Sequence, residues 1–178
     1  MYKLVNNEEM SQQFYQIKDA CWKEQGFEIE HNERSEKYLM LVDSDTAGGT
    51  CEITPYEKMR DESKQLFKKA IDTYPAIFEV DGFAILPEYR GKLTPVIMEV
   101  AMDYGERHQM THCVSLTSEE VFYLLKNKLN LIVEMTSEPF MYKGGKVIPT
   151  LIDVAHVYQN KQSERYRDKW IPEPVKAK

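Results

Sequence analysis

Phe78-Glu79-Val80-Asp81-Gly82-Phe83-Ala84-Ile85-Leu86-Pro87-Glu88-Tyr89-Arg90-Gly91-Lys92-Leu93-Thr94-Pro95 is the stretch that decides the fold. It reads as a strand, a short basic loop holding a glycine, and the start of a helix. Thr94 is placed to cap that helix, and Pro95 to take its first position, where a missing N–H is no loss. Unpaired N–H groups at a helix start, with Arg90 and Lys92 beside them, suit a phosphate or pyrophosphate. A strand that runs into such a cradle, with acidic side chains further back along it, points to a cofactor-dependent transferase.

Outward from this stretch, strands and helices mostly alternate. Residues 8–25 read as a helix, because Met10, Phe14, Ile17, Cys21 and Trp22 recur at the spacing of one helical face. Residues 38–43 and 49–54 read as strands joined through the turn-forming run Asp43–Gly49, a hairpin pattern. Residues 56–74 are charged and partly helical, with Met59, Leu66, Phe67 and Ile71 as buried candidates. After the strand at 77–86 come a helix at 95–109, a strand at 111–116, and a helix at 119–128 that Ser118 caps. Strands at 131–135 and 149–156 follow, with a turn at Gly144-Gly145 between them. The pattern predicts an α/β (α+β) fold: a mixed, mostly antiparallel sheet of about six to seven strands with helices on both faces.

The 178 residues suffice for one domain with a sizeable core. We assign residues 1–158 to that domain and 159–178 to a polar C-terminal helix and tail. A net charge of −6 argues against nucleic acid as the main partner, which needs clustered Lys and Arg. It leaves room for a local basic pocket, and an acidic surface favours amine-bearing substrates. No apolar run approaches the length of a membrane span, and the N-terminus lacks a signal peptide's apolar core. Cys21, Cys51 and Cys113 stand far apart, with neither metal nor disulfide spacing, so the simplest compartment is cytoplasmic. The four histidines are scattered, and no metal site is expected.

The order of elements and the loop resemble the GNAT N-acetyltransferase superfamily over residues 36–156. Members carry a strand, an Arg-x-x-Gly-x-Gly/Ala loop and a helix that hold the pyrophosphate of acetyl-CoA or another acyl-CoA. Arg90-Gly91-Lys92 resembles the opening of that loop, while Leu93 and Pro95 stand at its later small-residue positions. Lys128-Leu129-Asn130-Leu131 resembles the family's Leu-Gly-Phe turn, with Asn130 in the left-handed position of the glycine. The front half is similar, more weakly, to the acyl-homoserine-lactone synthases. Gly48–Pro55 lies where they have Gly-x-x-Arg-Leu-x-Pro, with Glu52 in place of the Arg, and Phe78–Gly82 lies where they have Trp-Glu-x-Ser-Arg.

The resemblance implies an acyl-CoA-dependent N-acyltransferase acting on a small primary amine, with acetyl-CoA the default donor and a homodimer left open. Arg90, Gly91, Lys92, Leu93, Thr94, Pro95 and Val96 would line the diphosphate, and the backbone of Phe83, Ala84 and Ile85 would meet the pantetheine and the oxyanion. Glu79 is the candidate general base. Asp81 shares its face of the strand, and Glu52 on the neighbouring strand joins them to hold an ammonium. The competing reading of this trio is a solvated polar face. Tyr123 is the candidate general acid, one turn before the family's position, which Lys126 fills; a packing tyrosine is the alternative. Two further readings stand beside the acetyltransferase: an autoinducer-synthase-like enzyme using a longer acyl chain, and a non-catalytic CoA-binding or interaction module.

Overall fold

In the computed structural model, which describes residues 1–167, the chain runs through β1 (Tyr2–Leu4), α1 (Glu8–Glu24), β2 (Glu36–Leu41) and β3 (Ala47–Pro55). Then come α2 (Asp61–Leu66), α3 (Lys68–Thr73), β4 (Ile77–Ile85), α4 (Thr94–Arg107), β5 (His112–Thr117) and α5 (Glu119–Tyr123). The last elements are β6 (Val133–Met135), β7 (Phe140–Tyr142), β8 (Gly145–Asp153) and α6 (Val154–Gln159). The sheet order is β1-β2-β3-β4-β5-β8-β6, with β7 paired to β8. Every pairing is antiparallel except β4 with β5. The mixed, mostly antiparallel sheet is as expected, and the described residues give it eight strands, beside the six to seven or so read from sequence. The short edge strands β1 and β7, three residues each, carry too little alternation to be read from sequence.

Alternation along β3 and β4 sorts the core onto two faces. Cys51, Ile53, Phe78 and Val80 join Val96 and Val100 of α4 and Val154 and Val157 of α6 on one face. On the other, Phe14, Ile17 and Cys21 of α1 cover Leu39, Leu41 and Ala84. Further along that second face, Met59, Phe67 and Ala70 cover Ile77, Val114 and Leu151. Between these two apolar patches runs a polar strip, where Glu52 stands opposite Asp81 and Thr54 opposite Glu79.

Several expectations are corrected. α4 starts at Thr94 itself, with Leu93 at the cap position and no side-chain cap; Pro95 is therefore the second helical residue. Thr94 Oγ1 instead accepts from the Gly91 amide at 3.4 Å. The helix expected over 119–128 keeps its Ser118 cap but passes at Leu124 into a π-helical turn ending at Lys128. The last strand ends at Asp153, whose carboxylate accepts from the His156 amide and starts α6; His156 is helical. Residues 160–167 form turns rather than a surface helix, and Tyr166 is fully buried in the core. The loose tail expected after Pro172 lies outside the described residues. Asn130 has φ +55°, the left-handed conformation expected of it.

Candidate active site

β4 and β5 pair only from Ile77–His112 to Glu79–Val114, although β4 continues to Ile85 and β5 to Thr117. Past Glu79, the β4 edge that faces β5 has no strand partner among the described residues. A bulge reinforces the split. Thr50 pairs with Ala84 but Glu52 with Asp81, so β4 carries one extra residue there. Gly82 makes the bulge with φ +59°, and a Cβ on it would stand 2.5 Å from Glu52 Cγ. Gly82→Ala is expected to destabilise the fold by about 1–3 kcal/mol, through positive-φ strain and the clash with Glu52. A urea denaturation midpoint lowered at unchanged slope would show it.

Glu79, where the strands part, is 8% exposed. Burial and the neighbouring Asp81 and Glu52 charges push its carboxyl up to about 7, against the opposing pull of a Ser63 hydrogen bond and of Arg60. Glu52 is fully buried. Burial raises its pKa, and the Asp81 charge adds to the rise, while Lys18 pulls the other way. Lys18 Nζ, itself buried, lies 3.1 Å from Glu52 Oε1 and donates to the Glu30 carbonyl at 2.6 Å. It also sits 4.5 Å from the Trp22 ring centre. Glu52 Oε2 is buried and has no hydrogen-bond partner among the described residues.

Two loops close over this strip. The Glu30 carboxylate is gripped by Arg60 and by Lys143 of the β7–β8 turn. The Glu28 amide donates to the Lys143 carbonyl at 3.1 Å. Asn32, buried, reaches Thr54 Oγ1 at 3.3 Å. The site residues expected from the sequence do not include Lys18, Glu30, Arg60 or Lys143, and Trp22 is expected only on the apolar face of the first helix.

At the far end of β4, the Phe83 carbonyl accepts from Trp22 Nε1 at 3.3 Å and the Ile85 carbonyl from Arg90 Nε at 3.3 Å. Ala84 and Ile85 are buried on opposite faces of the sheet. Arg90 also pairs with Glu24 at 2.5 Å. The amides of Lys92 and Leu93 both donate to the Tyr89 carbonyl at 3.1 Å, and that of Val96 to the Leu93 carbonyl. These loop amides, expected to face a phosphate, are thus engaged inside the turn. Arg90, Gly91 and Lys92 are exposed, and Gly91 is left-handed at φ +84°. Leu93 is 2% exposed and turned into the core against Gly48, so its bulk stays off the loop's outer face.

The structure does not bring Tyr123 to the carboxylates. It is 50% exposed at the end of α5, its ring meets Phe122 edge-on, and its hydroxyl makes no hydrogen bond among the described residues. A surface cavity of about 550 Å³ lies along Leu4–Glu8 and Ser35–Lys37.

No family model matches the chain, and no curated protein matches it by sequence. Solved structures do match it by shape. FeeM, an N-acyl amino acid synthase from uncultured soil microbes, is similar with a TM-score of 0.71 and 11% identity, over 87% of this chain and 91% of that one. The acyl-homoserine-lactone synthase LasI is similar with a TM-score of 0.64 and 16% identity, over 86% and 89%. The fold is GNAT-like. The CoA-dependent acyl-homoserine lactone synthase BjaI, solved with SAM and isopentyl-CoA, shares it with a TM-score of 0.63 and 14% identity, over 80% of this chain and 74% of that one. Within this GNAT-like frame the split between β4 and β5, the carboxylate strip and the basic loop lie along one strand. Among the described residues no group of side chains could hold a metal ion, and no helix is long and apolar enough to cross a membrane.

Proposed function

We propose that the chain is an acyl-CoA-dependent N-acyltransferase that moves an acyl group, acetyl in the first instance, to a primary amine by direct attack in a ternary complex. The observation that carries this reading is Glu79: a buried carboxyl with a pKa of about 7, at the point where β4 leaves β5 and offers an unpaired edge. Glu79 takes a proton from the bound ammonium. The nitrogen attacks the thioester carbonyl, the C–N bond forms and the C–S bond breaks; the proton that the nitrogen still has to lose passes to the departing thiolate, leaving amide and thiol. The proton on Glu79 returns to solvent. Backbone groups of Phe83, Ala84 and Ile85 are positioned for the pantetheine arm once Trp22 and Arg90 yield the carbonyls they hold. Arg90, Gly91 and Lys92, with Leu93, Thr94, Pro95 and Val96 behind them, form the diphosphate end.

A covalent acyl-enzyme on Cys51 is disfavoured, because the thiol is fully buried and burial raises its pKa. Tyr123, exposed and outside the strip, fits thiolate protonation only if the sulfur lies beside α5. Three free, buried cysteines suit a reducing, cytoplasmic setting.

Two observations favour other readings. The likeness to acyl-homoserine-lactone synthases favours a longer acyl chain. The internally bonded loop and the Arg90–Glu24 pair favour a non-catalytic module. Calorimetric titration with CoA, acetyl-CoA and a long-chain acyl-CoA separates them. Binding is expected, and Arg90→Ala is expected to weaken it roughly tenfold through loss of a charge-assisted contact. Turnover of the bound acyl-CoA with an amine separates enzyme from module, and chain-length preference separates the two enzymes. Absence of binding by all three ligands overturns the CoA-dependent reading.

A further inference from the structure

The charges around the strip bear on which amine is acylated. Among the described residues, Lys18, Lys37, Arg60 and Lys143 stand around it, and each is already engaged. Lys18 is held by Glu52 and the Glu30 carbonyl. Arg60 and Lys143 are both held by the Glu30 carboxylate. Lys37 is 3.8 Å from Glu33 and lies over the Tyr15 ring. None of the four is left to receive a substrate carboxylate. The anions are in the opposite position. Glu79 and Asp81 have no cation bonded to them among the described residues. Glu52 is fully buried with Oε2 unpartnered, over Gly82 and beside Asp81. An unpaired oxygen on a buried carboxylate is expensive unless a donor meets it. Glu79 and Asp81, two residues apart on one face, are separated by about 7 Å along the strand. Glu52 stands directly across from Asp81.

We infer, resting on the N-acyltransferase reading, that the acceptor is a diamine or related polycation without a carboxylate. One amine is presented to Glu79, and the second cationic nitrogen is held by Asp81 and the free oxygen of Glu52. The second nitrogen stays charged through the reaction, so it positions the first and takes no part in bond making. An α-amino acid would bring its carboxylate against Asp81 and Glu52, with no free cation to meet it. The preference therefore differs from that of FeeM, an N-acyl amino acid synthase with which this chain shares only the fold.

The test measures thiol release from acetyl-CoA, and from a long-chain acyl-CoA, with short α,ω-diamines, monoamines of matched length and α-amino acids. The diamine is expected to exceed its monoamine about tenfold in kcat/KM, one well-placed ion pair's worth. Asp81→Asn is expected to shrink that ratio towards one. Because Asp81→Asn can impair folding, thermal stabilisation of the unaltered protein by diamine alone, but not by monoamine, is the second readout. Amino acids preferred over diamines, equal use of diamine and monoamine, or an Asp81→Asn variant that keeps the ratio would overturn the inference and leave the acyltransferase reading standing. Absence of acyl transfer to every amine from either donor would overturn both.

Discussion

Glu79→Gln is expected to abolish most turnover and to make the protein more stable at pH 8. As general base, Glu79 supplies on the order of 10²–10⁴-fold in rate, and the isosteric amide removes the proton acceptor while keeping the shape. CoA binding depends on the other end of β4 and is expected to persist. The stability effect runs the opposite way. The carboxyl titrates near 7 in the fold, because burial and the Asp81 charge oppose ionisation, and near 4.5 in the unfolded chain. Its folded value is raised, so the group weighs against the fold as pH climbs from 4.5 through 7. Two to three pH units correspond to something on the order of 3 kcal/mol by pH 8. Glutamine has no proton to lose and escapes that penalty. For a chain of this size each kcal/mol moves Tm by about 2–4 °C. Melting curves of the two proteins should therefore separate by several degrees at pH 8 and converge near pH 4. Activity of the unaltered protein should rise with pH through about 7, the point at which Glu79 ionises. A variant with full turnover, or an activity profile flat between pH 6 and 8, would remove Glu79 from the chemistry.

Glu79 was legible because the evidence for it is local. Alternation along Phe78-Glu79-Val80-Asp81 puts two carboxylates on one face, and the loop after Ile85 marks the strand's end. Glu52 was legible for the same reason, since Cys51 and Ile53 flank it on the apolar face. Lys18 was legible in principle, standing four residues after Phe14 and three before Cys21 on the buried stripe of α1. A lysine in that stripe needs a buried partner, and Glu52 is it. Glu30, Arg60 and Lys143 gave no such signal. They come from a loop, the start of α2 and a tight turn, and only tertiary packing brings them together. Gly48 misled by its turn-like composition. The strand expected from Gly49 starts at Ala47, and a Cβ on Gly48 would stand 2.4 Å from Tyr89 Cδ2. There glycine serves the close approach of the loop, not a turn. His156 misled because the apolar run continues past Asp153, where a side-chain cap ends the strand and opens α6. Local alternation thus reveals which residues face the strip, while packing decides what closes it.

Lys18→Met is expected to be the most destabilising single change at the site, by about 3–5 kcal/mol near neutral pH. Lys18 and Glu52 are 1% and 0% exposed, so neither charge has water to fall back on. Methionine fills much of the lysine's volume, and the loss is one of charge pairing rather than of packing. It leaves both Glu52 oxygens unpartnered, since Oε2 has no partner even with Lys18 in place. It also removes the donor that ties down the Glu30 carbonyl, and with it one anchor of the loop over the strip. Without Lys18, the largest pull that opposes burial at Glu52 is gone, and its folded pKa rises further. A raised carboxylate pKa weighs against the fold increasingly as pH climbs, so the deficit of Lys18→Met should be largest at pH 8 and smallest near pH 4. Adding Glu52→Gln to Lys18→Met removes the stranded charge, and the double variant should regain most of the lost stability and lose the extra pH dependence that Lys18→Met introduced. The coupling free energy from the four melting curves measures the pair directly. A double variant no more stable than Lys18→Met alone would mean that Lys18 acts through its packing against Trp22 and its hold on Glu30, with Glu52 a bystander. The rescue of stability need not bring turnover with it. Glu52→Gln also blunts the cluster charge that helps keep the Glu79 carboxyl near 7, so a stable double variant with lowered activity is what a site that holds unpaired carboxylates for its substrate should give.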